Sequence, residues 1–236
     1  MSRMYTPDAM GWTFEEPFRC VLYVHLSHLL MSNPRFGLIG YCVHTFALDS
    51  ASWLPQHRDR WYLVAVHESL KPSDMAQFVP VPPGEALPLQ SMPTTNLQWQ
   101  SVADVSESHL GTVFQRNLRL VGEKCATADV CSTDWVCADM GSSESHKSVA
   151  VNYAPCVTKA RSSAKRFWVF TGDFMFCTQL QTLHYAFLQG WLPDHISKVG
   201  EYTSDTEIRG SIGNGMSVPV MASIMTKVLM VVGLSA

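Results

Sequence analysis

The sequence predicts an α/β fold with a loop-rich middle, and three observations predict it. Two runs rich in β-formers, 41–48 and 56–67, follow one another across a short link. Helical patterns lie near both ends, at 17–31 and 216–234. Between 71 and 93 the regular patterning stops at Pro72, Pro80, Pro82, Pro83, Pro88 and Pro93.

Residues 17–31 predict a helix because Val21, Leu22, Leu26, Leu29 and Leu30 share one face, and Asn33-Pro34 ends it. Residues 41–48 predict a strand, 49–54 a turn, and 56–67 a second strand. So short a link makes the two strands antiparallel neighbours, a pairing common at the edge of a mixed sheet. The proline-rich stretch is an extended linker. From 97 to 166 the pattern is weak, with short β-like pieces at Asn117–Gly122 and Trp135–Cys137, and the region reads as a loop-rich module. Residues 167–170 read as a strand, Gly172-Asp173 as a turn, and 179–188 as a helix. The apolar end is near membrane-spanning length, but Lys227, Ser217, Ser223 and Thr226 interrupt it. A largely buried helix is expected instead, with no membrane partner. Ser217 is placed to cap it and Pro219 is tolerated in its first turn.

At 236 residues with 47% hydrophobic side chains, the chain can build one full core, or part of a domain plus a smaller module. A disordered tail is excluded. The net charge of −3 excludes a generic basic nucleic-acid binder. The charge is uneven, however: between 141 and 170, Lys147, Lys159, Arg161, Lys165 and Arg166 face only Glu144. Such a stretch suits either a solvated surface or a phosphate-gripping loop. Seven cysteines and no secretory leader predict free thiols in a reducing, intracellular compartment. Cys125, Cys131, Cys137 and Cys156 are spaced too widely and irregularly for a zinc knuckle, and no metal is expected.

Three segments stand out. In Leu54-Pro55-Gln56-His57-Arg58-Asp59-Arg60, alternation puts Gln56, Arg58 and Arg60 on one face of an extended segment. Two guanidiniums so placed form planar forks suited to phosphates or base-edge oxygens, although alone they would read as a solvated strand start. Leu188-Gln189-Gly190-Trp191-Leu192-Pro193-Asp194 reads structurally, as a helix end, a glycine stop and a proline turn. Ile212-Gly213-Asn214-Gly215, leading to Val218-Pro219-Val220, is by itself a turn signal before the terminal helix.

In this order, from about Gly40 onward, the three segments resemble the C-terminal half of the DNA cytosine-5 methyltransferases. The resemblance implies the C-terminal part of a Rossmann-like mixed sheet with a small target-recognition module. Residues 1–70 and 167–236 would then belong to the catalytic domain, and 71–166 to the linker and recognition region. It implies that Arg60 faces the cytosine oxygen, that Arg58 braces phosphate or pocket, and that Gln56 orients both. It puts Asn214 and Gly213 beside the cofactor, S-adenosylmethionine. Pro155-Cys156-Val157-Thr158-Lys159-Ala160-Arg161 resembles the turn by which relatives leave the recognition region. Lys159 and Arg161, with Lys147, are the implied contacts to double-stranded DNA. A nuclear location is implied if the source is eukaryotic.

The chain departs from the family pattern in the half that carries the chemistry. Phe36-Gly37-Leu38-Ile39-Gly40 has the wrong spacing for the cofactor loop, and no Pro-Cys-Gln or Glu-Asn-Val occurs. Pro155-Cys156 is followed by Val157 and lies in the variable stretch. Thr178 and His184 stand near places where relatives carry Arg and Glu, so an internal tie is expected to be lost. The chain alone is therefore expected to transfer no methyl group. It reads as a fragment of a longer enzyme, as one subunit completed by an N-terminal half, or as a degenerate copy kept for DNA binding or scaffolding. An accidental match in an unrelated α/β protein is a further alternative.

Overall fold

The computed structural model describes residues 41–70, 80, 84–109, 111–127, 129–143 and 149–233. The helix expected at 17–31 and Lys147 lie outside them. The described residues fall into two compact units. One holds 41–46, 61–70 and 229–233, and the other holds 47–60 together with the described residues from 80 to 228.

β1 (Tyr41–Asp49) and β2 (Asp59–His67) pair in a two-stranded sheet of their own. The expected strand at 56–67 therefore starts three residues late, and Gln56–Arg58 is extended but outside the ladder. Its alternation holds all the same: Gln56 and Arg58 are buried while His57 and Asp59 are exposed. A 3₁₀ turn, Ser50–Ser52, occupies the link, with Asp49 as its N-cap.

The larger unit is built on a five-stranded sheet of order β3-β7-β6-β4-β5. Its strands are β3 (Gln100–Ser101), β4 (Trp135–Asp139), β5 (Val149–Val151), β6 (Phe167–Thr171) and β7 (Phe176–Gln179). Every ladder in it is antiparallel. The described residues show no Rossmann-like parallel sheet of the kind the resemblance implies; Gln56 and Ala154 form an isolated parallel bridge. Parallel neighbours need long crossovers, whereas β6 and β7 are joined by a tight turn.

Alternation along the strands feeds two cores. Val136, Ala138, Trp168, Phe170 and Cys177 pack with Val102 and Val105 of α1 (Val102–Ser108) and Leu118 and Val121 of α2 (Thr112–Cys125). Cys137, Phe167 and Val169 point the other way. They pack with Tyr185, Ala186 and Leu188 of α4 (Thr182–Leu188) and Ile208 and Ile212 of α6 (Asp205–Asn214). Covered on both faces, β6 reads as the unbroken apolar run Phe167-Trp168-Val169-Phe170. The remaining helices are α3 (Lys159–Ser163), α5 (Pro193–Gly200) and α7 (Val218–Val231).

Several expectations are corrected. Asn117–Gly122 is helical, inside α2, because Phe114, Leu118, Val121 and Cys125 repeat at helical spacing over the full window. Asn117 breaks that apolar pattern yet is buried, donating to the Met140 carbonyl at 3.1 Å and the Ser142 carbonyl at 3.2 Å. The middle of the chain is not loop-rich: it carries α1, α2, β4, β5 and α3. The helix expected from 179 begins at Thr182, since the β6 ladder claims Phe176–Gln179 as β7. His184 then closes a capping box with Gln181. Pro193 sits at the start of α5, where its missing N–H costs nothing, instead of in a turn. Among the described residues no single helix is long and apolar enough to cross a membrane. α6 and α7, bent by 44° at their break, reach that length and composition only as a pair.

Candidate functional site

The three singled-out segments meet in the larger unit. Asp49 prepares the first. Its Oδ1 accepts from the Ala51 amide at 3.0 Å and the Arg58 amide at 2.7 Å, and its Oδ2 lies 2.8 Å from His57 Nδ1. Partial burial would raise the Asp49 carboxyl pKa, but the bonds from His57, Ala51 and Arg58 outweigh it and hold the group below its ordinary value. The chain that follows is fixed to the segment before α3. The Ala154 amide donates to the Pro55 carbonyl at 2.7 Å, and the His57 amide to the Ala154 carbonyl at 3.2 Å.

Gln56, fully buried, bridges two segments far away in sequence. Its Nε2 donates to the Leu188 carbonyl at 3.1 Å, and its Oε1 accepts from the Val157 amide at 2.8 Å. Arg58, 5% exposed, donates to the carbonyls of Val157, Gly213 (3.3 Å) and Gly215 (2.8 Å). One side chain thus ties the Gln-x-Arg-x-Arg segment to the segment before α3 and to the Gly-Asn segment. The second segment joins by another route. Ser217 Oγ donates to Gln189 Oε1 at 3.1 Å, and the Val218 amide donates to the Gln189 carbonyl at 2.9 Å. Gly190, at φ +76°, ends α4 with its Cα against Pro219, where a Cβ would overlap the ring and touch Leu54 at 3.5 Å.

α6 seats against α3 through glycines. A Cβ on Gly213 would overlap Ser162 Oγ and lie 2.6 Å from the Lys159 amide nitrogen, and one on Gly210 would lie 3.0 Å from Ser163 Oγ. Beside them Arg209, 3% exposed, donates through Nε to the Ser162 carbonyl (3.0 Å) and through Nη1 to Thr182 Oγ1 (3.0 Å). Ser162 Oγ returns a bond to the Arg209 carbonyl at 2.7 Å.

The candidate residues therefore separate by role. Gln56 and Arg58 are braces within the protein. Arg60, half-buried, donates to the Asp59 carbonyl at 2.8 Å and has no comparable set of buried acceptors. Lys159 is exposed on α3. Arg161 turns inward, its Nε 2.9 Å from Asp139 Oδ2 and its Nη1 donating to the Cys156 carbonyl at 3.0 Å. Asn214 is exposed at the end of α6. Gly213 does not fit a cofactor cradle, since α3 fills the space beside its Cα. Of the two residues implied for S-adenosylmethionine, Asn214 alone is open to a ligand.

Cys156 is half-buried, with Sγ 4.0 Å from the Val157 carbonyl. Burial raises the Cys125 thiol pKa to about 11, with help from Asp173, and that of Cys177 also to about 11. Among the described residues no group of three His, Cys, Asp or Glu side chains is arranged to hold a metal. Open clefts occur in this unit. One, about 480 Å³, lies between α1, α2 and the β6–β7 turn, and another, about 580 Å³, is lined by residues of α4, α5 and α6 with Asn96 and Gln98. Neither includes Gln56, Arg58, Arg60 or Asn214.

Sequence reading missed Asp139 and Arg209, and singled out Arg166 only as one of five cations in a basic stretch. Arg209 carried a usable signal, a lone cation with Gly210 and Gly213 on a helical pattern, but its acceptors on α3 are distant in sequence. No protein-family model and no curated protein matches the chain.

Proposed function

We propose that the chain is the C-terminal portion of a DNA cytosine-5 methyltransferase. In this reading it contributes DNA recognition and part of the cytosine pocket, and it is inactive alone. The observation that carries the reading is the convergence of the three motif segments through Gln56, Arg58, Gln189 and Ser217. Accidental matches in an unrelated fold have no reason to be tied to one another by buried side chains.

Arg60 is the donor assigned to the cytosine oxygen, where a positive fork stabilises the charge that develops as a nucleophile adds to the ring. Arg58 and Gln56 hold the backbone that presents it. The nucleophile and the S-adenosylmethionine pocket belong to a complementary half, with Asn214 at that pocket's edge. The parallel strands of the Rossmann-like sheet belong there too.

A second reading, a non-catalytic DNA-binding or scaffold protein derived from such an enzyme, is favoured by one observation: no cysteine of the sequence stands in a nucleophile motif. Adding a complementary N-terminal half from a related enzyme separates the two. Restored transfer of a labelled methyl group to duplex DNA, lost in Arg60→Ala at unchanged DNA affinity, supports the enzyme. Duplex binding without transfer supports the module, and no duplex affinity at low salt removes both.

A further inference from the structure

We infer that Arg166, braced on the buried carboxylate of Asp139 beside Arg161, grips the phosphodiester backbone of duplex DNA. The inference rests on the DNA-binding part of the reading above.

The Asp139 side chain has no solvent exposure, and two arginines share it: Arg161 Nε lies 2.9 Å from Oδ2 and Arg166 Nε 2.8 Å from Oδ1. One carboxylate neutralises one guanidinium, so the cluster keeps a positive charge. Arg161 is the deeper, with 19% of its side chain exposed against 28% for Arg166, and it also bonds the Cys156 carbonyl. It suffices to compensate the buried acid. Arg166 is then surplus to burial chemistry.

Arg166 meets Asp139 through Nε, and among the described residues its Nη groups donate to no protein acceptor. They form the outer edge of the fork, the edge that fits two phosphate oxygens. The seat is shaped for this guanidinium. A Cβ on Gly141 would overlap Arg166 Nε and lie 2.9 Å from its Cζ, while the Gly141 amide donates to Asp139 Oδ1 at 3.0 Å. A guanidinium already fixed in place loses less freedom on binding than a free surface side chain. Lys159 is exposed nearby in sequence, and no Asp or Glu occurs from 149 to 170.

The test measures binding of the full chain to a labelled duplex across a salt series, for wild type and Arg166→Gln. Arginine-selective modification of the wild-type protein by phenylglyoxal, with peptide mapping, is done with and without duplex. Wild type should bind, with Arg166→Gln weaker several-fold and its log–log salt slope shallower by about 0.9, one phosphate contact. Arg166 should be modified in the free protein and protected by duplex at low salt, a readout that needs no variant to fold. An unchanged slope in a folded Arg166→Gln, or an Arg166 that duplex leaves unprotected, overturns the inference while leaving DNA binding in place. A wild-type chain with no duplex affinity overturns the DNA reading itself.

Discussion

Arg58 holds three backbone carbonyls, those of Val157, Gly213 and Gly215, and its burial makes that role testable. Arg58→Ala leaves the carbonyls of Val157, Gly213 and Gly215 without their charged donor, and the expected loss is about 3 kcal/mol in denaturant unfolding. Arg58→Lys should recover roughly half of that or less, because an ammonium has no planar fork to span separate acceptors. Wild-type stability in both variants would remove the bracing role. His184 makes a pH prediction. Burial lowers its pKa from the ordinary 6.5, against bonds to the Thr95 and Pro93 carbonyls that act the other way, and its Nδ1 accepts from the Gln181 amide at 2.9 Å. The unfolded chain therefore binds the proton more tightly. The stability this group contributes is complete above about 6.5 and is lost as pH falls through the lower folded value. His184→Gln should flatten the stability profile between about pH 7 and 5, and an identical slope would contradict the assignment. At this scale the alternation of Gln56, Arg58 and Arg60 was legible. Their targets were not, since a carbonyl at Gly213 or Leu188 leaves no mark on the sequence near Arg58.

At the scale of elements, glycines set how closely the pieces approach. Gly213→Ala should destabilise by about 2 kcal/mol or more, because the new methyl meets α3 backbone that cannot rotate away. Gly190→Ala adds left-handed backbone strain to overlap with Pro219 and should cost at least as much. Thermal melts of the two variants check this: an unchanged midpoint in Gly213→Ala would mean that α3 and α6 are not seated as described, and one in Gly190→Ala that Gly190 does not lie against Pro219. β1, β6 and the terminal helix were legible, being apolar or β-branched runs with clear breaks, while β4 was legible only as the short piece Trp135–Cys137. β7 was not: Phe176-Cys177-Thr178-Gln179 is short and becomes a strand because β6 pairs with it. α2 was misread because Asn117 interrupts its apolar face, and only the carbonyls beyond β4 explain an amide there. The capping box of α6 was available in Ser204 and Glu207. Bonds from the Ser204 and Thr203 hydroxyls hold that glutamate's pKa at about 2.

At the scale of the whole molecule, the α/β class was legible from patterning, while the antiparallel order of the main sheet was not. Strand order depends on long-range pairing that local sequence does not encode. The chain also exposes apolar side chains along one face of α7, with Val218, Met225 and Leu229 each at least 36% exposed. Purified alone, it is expected to self-associate in sedimentation runs. Met225→Glu with Leu229→Glu should shift it toward monomer, and a monodisperse wild-type monomer would contradict the uncovered face. The central claim, membership in a cytosine-5 methyltransferase, is tested most directly by chemistry on DNA. The native product, captured from its source cells through an epitope near the C-terminus, is incubated with duplex DNA and isotope-labelled S-adenosylmethionine, and the nucleosides are analysed by mass spectrometry. Labelled 5-methylcytosine from the captured native product, and none from the 236-residue chain alone, is the predicted result. No labelled 5-methylcytosine from the captured product, or labelled 5-methylcytosine from the chain by itself, would contradict the account.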